Sequence, residues 1–97
     1  MSPAPPELGI NKTPHRYELL IDGRLAAFAD YIVDGTSVEL PHTVTQPDFR
    51  GRGLAAVLVT HILNELRSAD ASVVPSCSYV ARFIERHPEY QPLLGPR

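Results

Sequence analysis

Residues 46–55 read Gln46-Pro47-Asp48-Phe49-Arg50-Gly51-Arg52-Gly53-Leu54-Ala55, a run of residue types suited to holding an anion. The two glycines let the backbone come close to a ligand. From Leu54 onward apolar residues recur at helical spacing, so the amides of a first helical turn lie here. Such amides have no intrahelical acceptor and sit at the positive end of the helix dipole. Arg50 and Arg52 add two permanent positive charges. Arg50, Gly51, Arg52, Gly53, Leu54 and Ala55 therefore predict a phosphate cradle, with Asp48 turned away from it. His42, four residues before Gln46, is a side chain able to move a proton, since an imidazole titrates near neutral pH. Its plain alternative is a histidine packed in the core. Cys77 is the single thiol and stands where a second helix opens, a position that favours a thiolate. Its plain alternative is a small buried side chain.

The loop excludes some phosphate ligands. No G-x-x-x-x-G-K-[ST] occurs, and Gly51-x-Gly53 continues as Leu54-Ala55-Ala56, so neither nucleotide fingerprint is present. What fits is R-x-x-G-x-A, made by Arg50, Gly53 and Ala55. It resembles the pyrophosphate motif, Q/R-x-x-G-x-G/A, of the GNAT superfamily of acyl-CoA N-acyltransferases. His42-Thr43, Pro75-Ser76-Cys77-Ser78-Tyr79-Val80 and Arg86-His87-Pro88-Glu89-Tyr90 followed by Leu93 resemble a small single-domain branch, that of the N-acetyltransferase-domain-containing proteins. The resemblance covers residues 16–94. It implies acetyl-CoA (coenzyme A) as co-substrate, an amine acceptor and no metal.

The resemblance also implies roles for single residues. The backbone at Thr43 and Val44 would meet the pantetheine arm and the oxyanion, and Ser78 would stand beside the cofactor. His42 would lie near the acyl group as general base, and Tyr79 would protonate the departing thiolate. Cys77 would lie near the thioester, where transient acylation competes with the direct transfer used by most members. Glu39 competes with His42 as base. Strand alternation predicts Val38, Leu40, His42 and Val44 on one face and Glu39, Pro41, Thr43 and Thr45 on the other. Arg82 could reach the cofactor phosphates, or make an exposed ion pair.

Elements that could position these groups follow from turns and periodicity. Residues 2–14 hold four prolines and predict a mobile tail over 1–14, leaving a domain over 15–94. Strands are expected over 16–21, 25–33 and 37–45, joined at Asp22-Gly23 and Asp34-Gly35. A helix should run from Leu54 to about Arg67, then a short strand over 72–74 and a second helix capped by Ser76 or Ser78 and stopped by Pro88. Pro92, Gly95 and Pro96 predict a frayed end. The expected fold is α+β (α/β), a minimal GNAT-like arrangement. It consists of a three-stranded antiparallel meander, a helix, a short parallel strand and a second helix.

Ninety-seven residues make one small domain. A net charge of −2 argues against nucleic-acid binding by bulk electrostatics. No apolar run approaches the ~20 residues of a membrane span. One cysteine and no signal-like start fit a cytoplasmic protein. His61 and His87 have no partners at ligand spacing, so no metal site is expected. The expected activity is acetyl transfer from acetyl-CoA to an amine. The short connections between early strands leave the acceptor side open, which suits a large acceptor such as a protein or peptide amine. The alternative is a non-catalytic CoA-binding sensor or interaction module, and a binder of another phosphorylated ligand stands third.

Overall fold

Alternating apolar residues and two glycine turns build a sheet, and one apolar helix face covers it. The computed structural model describes residues 7–95. Its strands are β1 (Leu8–Lys12), β2 (Arg16–Ile21), β3 (Arg24–Asp34), β4 (Ser37–Thr45) and β5 (Ser72–Val74), in the spatial order of the sequence. The first four form an antiparallel meander, and β5 adds parallel to β4. Helix α1 (Leu54–Ser68) makes the crossover between β4 and β5, and α2 (Ser78–Arg86) follows β5. Short 3-10 turns lie at Pro47–Phe49 and Pro88–Leu94. This is the expected α/β arrangement with one strand more.

The local signals act as their chemistry requires. Asp22 and Gly23 both adopt positive φ, 50° and 80°, as a type I′ hairpin demands. At the far end of α1, Asp70 takes φ 55°. There the Ala71 amide reaches back to the Leu66 carbonyl (3.0 Å) and the Asp70 amide to that of Arg67 (3.2 Å), a Schellman ending. Leu58, Ile62, Leu63 and Leu66 of α1 pack against Tyr17, Leu19, Ala27, Ala29, Val38 and Leu40 of the sheet. Val80, Phe83 and Ile84 of α2 join the same core. Both helices therefore serve one sheet face. The opposite face carries Glu18, Phe28, Asp30, His42 and Val44, all partly or fully exposed.

Two expectations need correction. The tail expected over 1–14 is a strand at Leu8–Lys12, paired from Leu8↔Ile21 to Lys12↔Tyr17. The prolines flank this stretch and do not interrupt it, and Ile10 packs against the core. Residues 1–6 lie outside the described residues. The frayed end expected at Pro92, Gly95 and Pro96 is instead wound, at Pro92, into the 3-10 turn, because Tyr90 and Leu93 are buried and the Tyr90 hydroxyl donates to Asn64 (2.8 Å). Pro96 is outside the described residues.

A polar knot ties β1 and β2 to α1. The Tyr17 hydroxyl and Lys12 Nζ (3.0 Å) both donate to Glu65 Oε2, and Lys12 stands 5.1 Å from the Tyr17 ring centre. Burial and then the Glu65 carboxylate push the Tyr17 phenol up to about 12. Hydrogen bonding to Glu65 and then to Tyr17 raises Lys12 to about 12. The Tyr17 hydroxyl holds the Glu65 carboxyl below its usual range. Both raised groups bind protons more tightly when folded, so their contribution is complete below about pH 10 and fades as pH rises towards 12. Urea unfolding should therefore show stability falling across that interval, and Tyr17→Phe should flatten the fall.

Candidate functional site

The loop before α1, where the sequence predicts an anion cradle, presents backbone amides at a helix start. Phe49, buried in the core, anchors it, and Asp48 turns back to Arg24 (3.6 Å), away from the loop. Gly51 and Gly53 take φ 80° and 71°, a region that a side chain would strain. Gly53 is the N-cap of α1, and its carbonyl takes the amide of Val57 at 3.3 Å. The amides of Gly51 to Ala56 donate to no backbone carbonyl among the described residues, and the first turn of α1 carries no acidic side chain. The Arg52 guanidinium lies 5.3 Å from the Phe49 ring centre, and Arg50 forms no ion pair among the described residues.

Beside this loop the pairing of β4 with β5 stops short. β5 pairs with Ser37, Val38 and Glu39 only, and the Cys77 amide then takes the Leu40 carbonyl at 2.9 Å. From Pro41 to Thr45 the β5 side of β4 meets no strand among the described residues. Such an edge offers backbone donors and acceptors to an extended ligand.

A β-bulge changes which face the β4 side chains occupy. Asp30 pairs with His42 but Ile32 pairs with Glu39, so Leu40 and Pro41 together stand opposite Tyr31. The extra residue reverses the alternation. His42 therefore does not continue the apolar row of Val38 and Leu40, as expected. It is exposed on the uncovered face, 6.4 Å from the Phe28 ring and opposite Asp30, which pairs with Arg16 (3.1 Å). Glu39, expected on the other face from His42, shares the uncovered face with it and accepts a hydrogen bond from Ser76 Oγ (2.6 Å). Thr43 turns to the helix side, while Val44 shares the outer face opposite Phe28.

Cys77, not Ser76 or Ser78, is the N-cap of α2. Its sulfur lies 3.7 Å from Thr43 Oγ1. The amides of Val80 and Tyr79 face the sulfur, though neither closes a full capping hydrogen bond. Burial pushes the thiol up, but those two amides with the Thr43 hydroxyl and amide outweigh it and hold it below the usual range. Tyr79, two residues on, is raised by burial and then by the Cys77 charge. Ser78 is exposed at the first position of the helix. Iodoacetamide should accordingly alkylate Cys77 with a midpoint below the ~8.5 of an ordinary thiol. Thr43→Val should move that midpoint upward, whereas a wild-type midpoint at or above the ordinary value would refute the thiolate environment.

Between the helices runs a groove of about 320 Å³, lined by Ala56 and Thr60 of α1 and by Tyr79, Arg82, Phe83, Arg86 and His87 along α2. Of these, only Tyr79 and Arg82 were anticipated from the sequence as site residues. Thr60 and Arg86 carry no local signal, because the groove exists only once α2 packs beside α1. Among the described residues no three His, Cys, Asp or Glu side chains gather as a metal site.

Residues 16–93 match the model of the GCN5-related N-acetyl-transferases, and the chain belongs to that family. It is similar to the ribosomal-protein-S18-alanine N-acetyltransferase of Escherichia coli, with 25% identity and a TM-score of 0.62 over 73% of this chain and 49% of that one. A GCN5-like protein of Staphylococcus aureus has 22% identity and a TM-score of 0.72 over 93% of this chain and 91% of that one. N-acetylglutamate synthase of Neisseria gonorrhoeae, solved with coenzyme A and N-acetyl-glutamate, has 18% identity and a TM-score of 0.57 over 81% of this chain and 22% of that one. The chain thus spans about half the length of the E. coli enzyme and nearly all of the S. aureus protein.

Proposed function

We propose that this chain is an acetyl-CoA-dependent N-acetyltransferase whose acceptor amine approaches the uncovered sheet face. The observation that carries the reading is the run of amides from Gly51 to Ala56 at the head of α1, without backbone partners and beside Arg50. That donor set fits a pyrophosphate. The free edge of β4 at Thr43 and Val44 suits the amide-rich pantetheine arm, and the two features adjoin in the chain.

The residues then divide the reaction between them. An amide of the free edge, at Thr43 or Val44, stabilises the oxyanion that forms as the amine nitrogen bonds to the acyl carbon. His42, exposed on the acceptor side, takes the proton which that nitrogen loses. Tyr79, whose phenol is raised by partial burial and then by Cys77, gives a proton to the sulfur released when the carbon–sulfur bond breaks. Ser78 stands at the same helix opening. Cys77 lies close enough to Thr43 to border the thioester. The uncovered face has no helix over it among the described residues, which favours an amine on a protein or peptide over a small enclosed one.

A panel of acceptors with acetyl-CoA tests this: small amines, lysine peptides and peptides with free N-termini. Amine-dependent release of thiol is expected, strongest with peptides, together with acetylated acceptor by mass. Release with none of them would overturn the transferase reading.

A further inference from the structure

The uncovered sheet face extends well beyond His42. Pairing without a slip sets Asn11 and Gly9 of β1 beside Glu18 and Leu20 of β2, on the face opposite Ile10 and Leu19, which turn to the core. On the same face Glu18 stands opposite Phe28, and Asp30 lies between Arg16 and His42. Glu39 joins them on β4. The cation among these strand residues, Arg16, is held by Asp30 (3.1 Å) and lies 3.8 Å over the Phe28 ring. Glu18 accepts the Asn11 side-chain amide (2.8 Å) and Glu39 the Ser76 hydroxyl (2.6 Å), and neither has a cation partner among the described residues.

A depression of about 320 Å³ opens at the β1–β2 end of this face, lined by Glu7, Gly9, Leu20, Asp22 and Gly23. It is open because Gly9 has no side chain: a Cβ there would meet no atom within 4 Å. The φ of Gly9 is not left-handed, so the backbone does not require a glycine at this position. The Glu7 amide donates to Asp22 Oδ1 and the Asp22 amide to the Glu7 carbonyl, both at 2.8 Å, which ties the two acidic residues together at the strand end. Neither carboxylate pairs with a cation among the described residues. Two uncompensated carboxylates beside aliphatic Leu20 are the complement of a long basic side chain, whose stem is apolar and whose head is charged.

The depression lies at a definite distance from His42. From β4 the face crosses β3 to β2, two spacings of about 4.8 Å, and runs along β2 from Arg16 to Leu20 at about 3.4 Å per residue. The diagonal, about 17 Å, is the span of about five residues of extended chain.

We propose that the uncovered face docks the acceptor as an extended basic peptide, its reacting amine at His42 and a second basic side chain, about five residues away, in the Gly9–Leu20 depression beside Glu7 and Asp22. The proposal rests on the amine-acceptor reading above and adds to it the class of acceptor and the residues that select it.

Fluorescence anisotropy with labelled peptides, in the presence of coenzyme A, tests it without turnover. The peptides carry one lysine and, about five residues from it, arginine, glutamine or glutamate; a further peptide has its arginine next to the lysine. At low salt the wild type is expected to bind the distant-arginine peptide about fivefold more tightly than the glutamine one, the upper end for an ion pair open to solvent, and the glutamate one least tightly. Gly9→Ile fills the depression with a β-branched residue suited to a strand, so it should keep the melting temperature and abolish the preference. Glu7→Gln should weaken the preference with no bulk added. In transfer assays the same preference should appear in KM and not in kcat. Equal wild-type binding of the distant- and adjacent-arginine peptides would mean bulk charge alone and would overturn the proposal, as would a preference that both variants leave intact. Acetyl transfer to peptides without positional preference would overturn this proposal alone. Selective binding without transfer would support the docking surface and overturn the transferase reading.

Discussion

Replacing Arg50 and Arg52 together by alanine is expected to weaken acetyl-CoA binding about a hundredfold while the protein stays folded. A hydrogen bond to a charged group contributes about 1.5–3 kcal/mol, and solvent screening at two exposed arginines favours the lower end for each. Two such contacts give the hundredfold loss. Abolition is not expected, since the backbone amides of Gly51 to Ala56 and the αL glycines that aim them remain. The stability cost is small, because Arg50 has no ion pair to lose among the described residues. Arg52 loses only its position over Phe49, about 0.5 kcal/mol for an exposed cation–π contact. Calorimetry across a salt series is the measurement. Wild-type affinity should fall steeply with ionic strength and the variant's should fall less. An unchanged affinity in the folded variant would mean that the loop is a turn and nothing more.

The parts of this fold that the sequence made legible are those set by local chemistry. Strands Arg16–Ile21, Ser37–Thr45 and Ser72–Val74 and the start of α1 at Leu54 lie where turn residues and changes of period put them. β1 was hidden because its five residues depend on pairing with β2, and strand formation is decided by neighbours more than by composition. Tyr90 and Leu93 likewise gain their order from a core assembled elsewhere in the chain. The bulge is a different case. Pro41 in the middle of a strand is itself a bulge signal, because proline cannot donate to a ladder. Regular alternation, carried across Pro41, put His42 on the wrong face and separated it from Glu39. The backbone of the loop was legible because glycine alone takes left-handed φ freely, as Gly51 and Gly53 do. Thr43, Cys77 and Tyr79 needed the packing of α2 against β4 to be brought together.

His42→Ala should lower kcat by about 10²- to 10⁴-fold, the usual contribution of a positioned general base, and leave acetyl-CoA affinity unchanged. The two effects separate because the bulge sends His42 to the uncovered face, while Thr43, its neighbour, turns to the helix side with Cys77. The folded state should tolerate the change, since the ring is exposed and its ring contact among the described residues is with Phe28 at 6.4 Å. With the best acceptor from the panel, the loss should fall on the transfer step in single-turnover measurements and not on acetyl-CoA binding. Glu39 is the rival on the same face, but its carboxylate already accepts the Ser76 hydroxyl, which occupies one of its oxygens. Glu39→Gln keeps the shape and that hydrogen bond, so it should retain most of the turnover. The reverse pattern, a silent His42→Ala and an inactive Glu39→Gln, would transfer the base to Glu39. Cys77→Ala completes the set. If transfer is direct it lowers turnover modestly, and no acetyl group accumulates on the wild-type protein without an amine. An acetylated Cys77 in that experiment would instead make His42 the base for the second half of a two-step transfer.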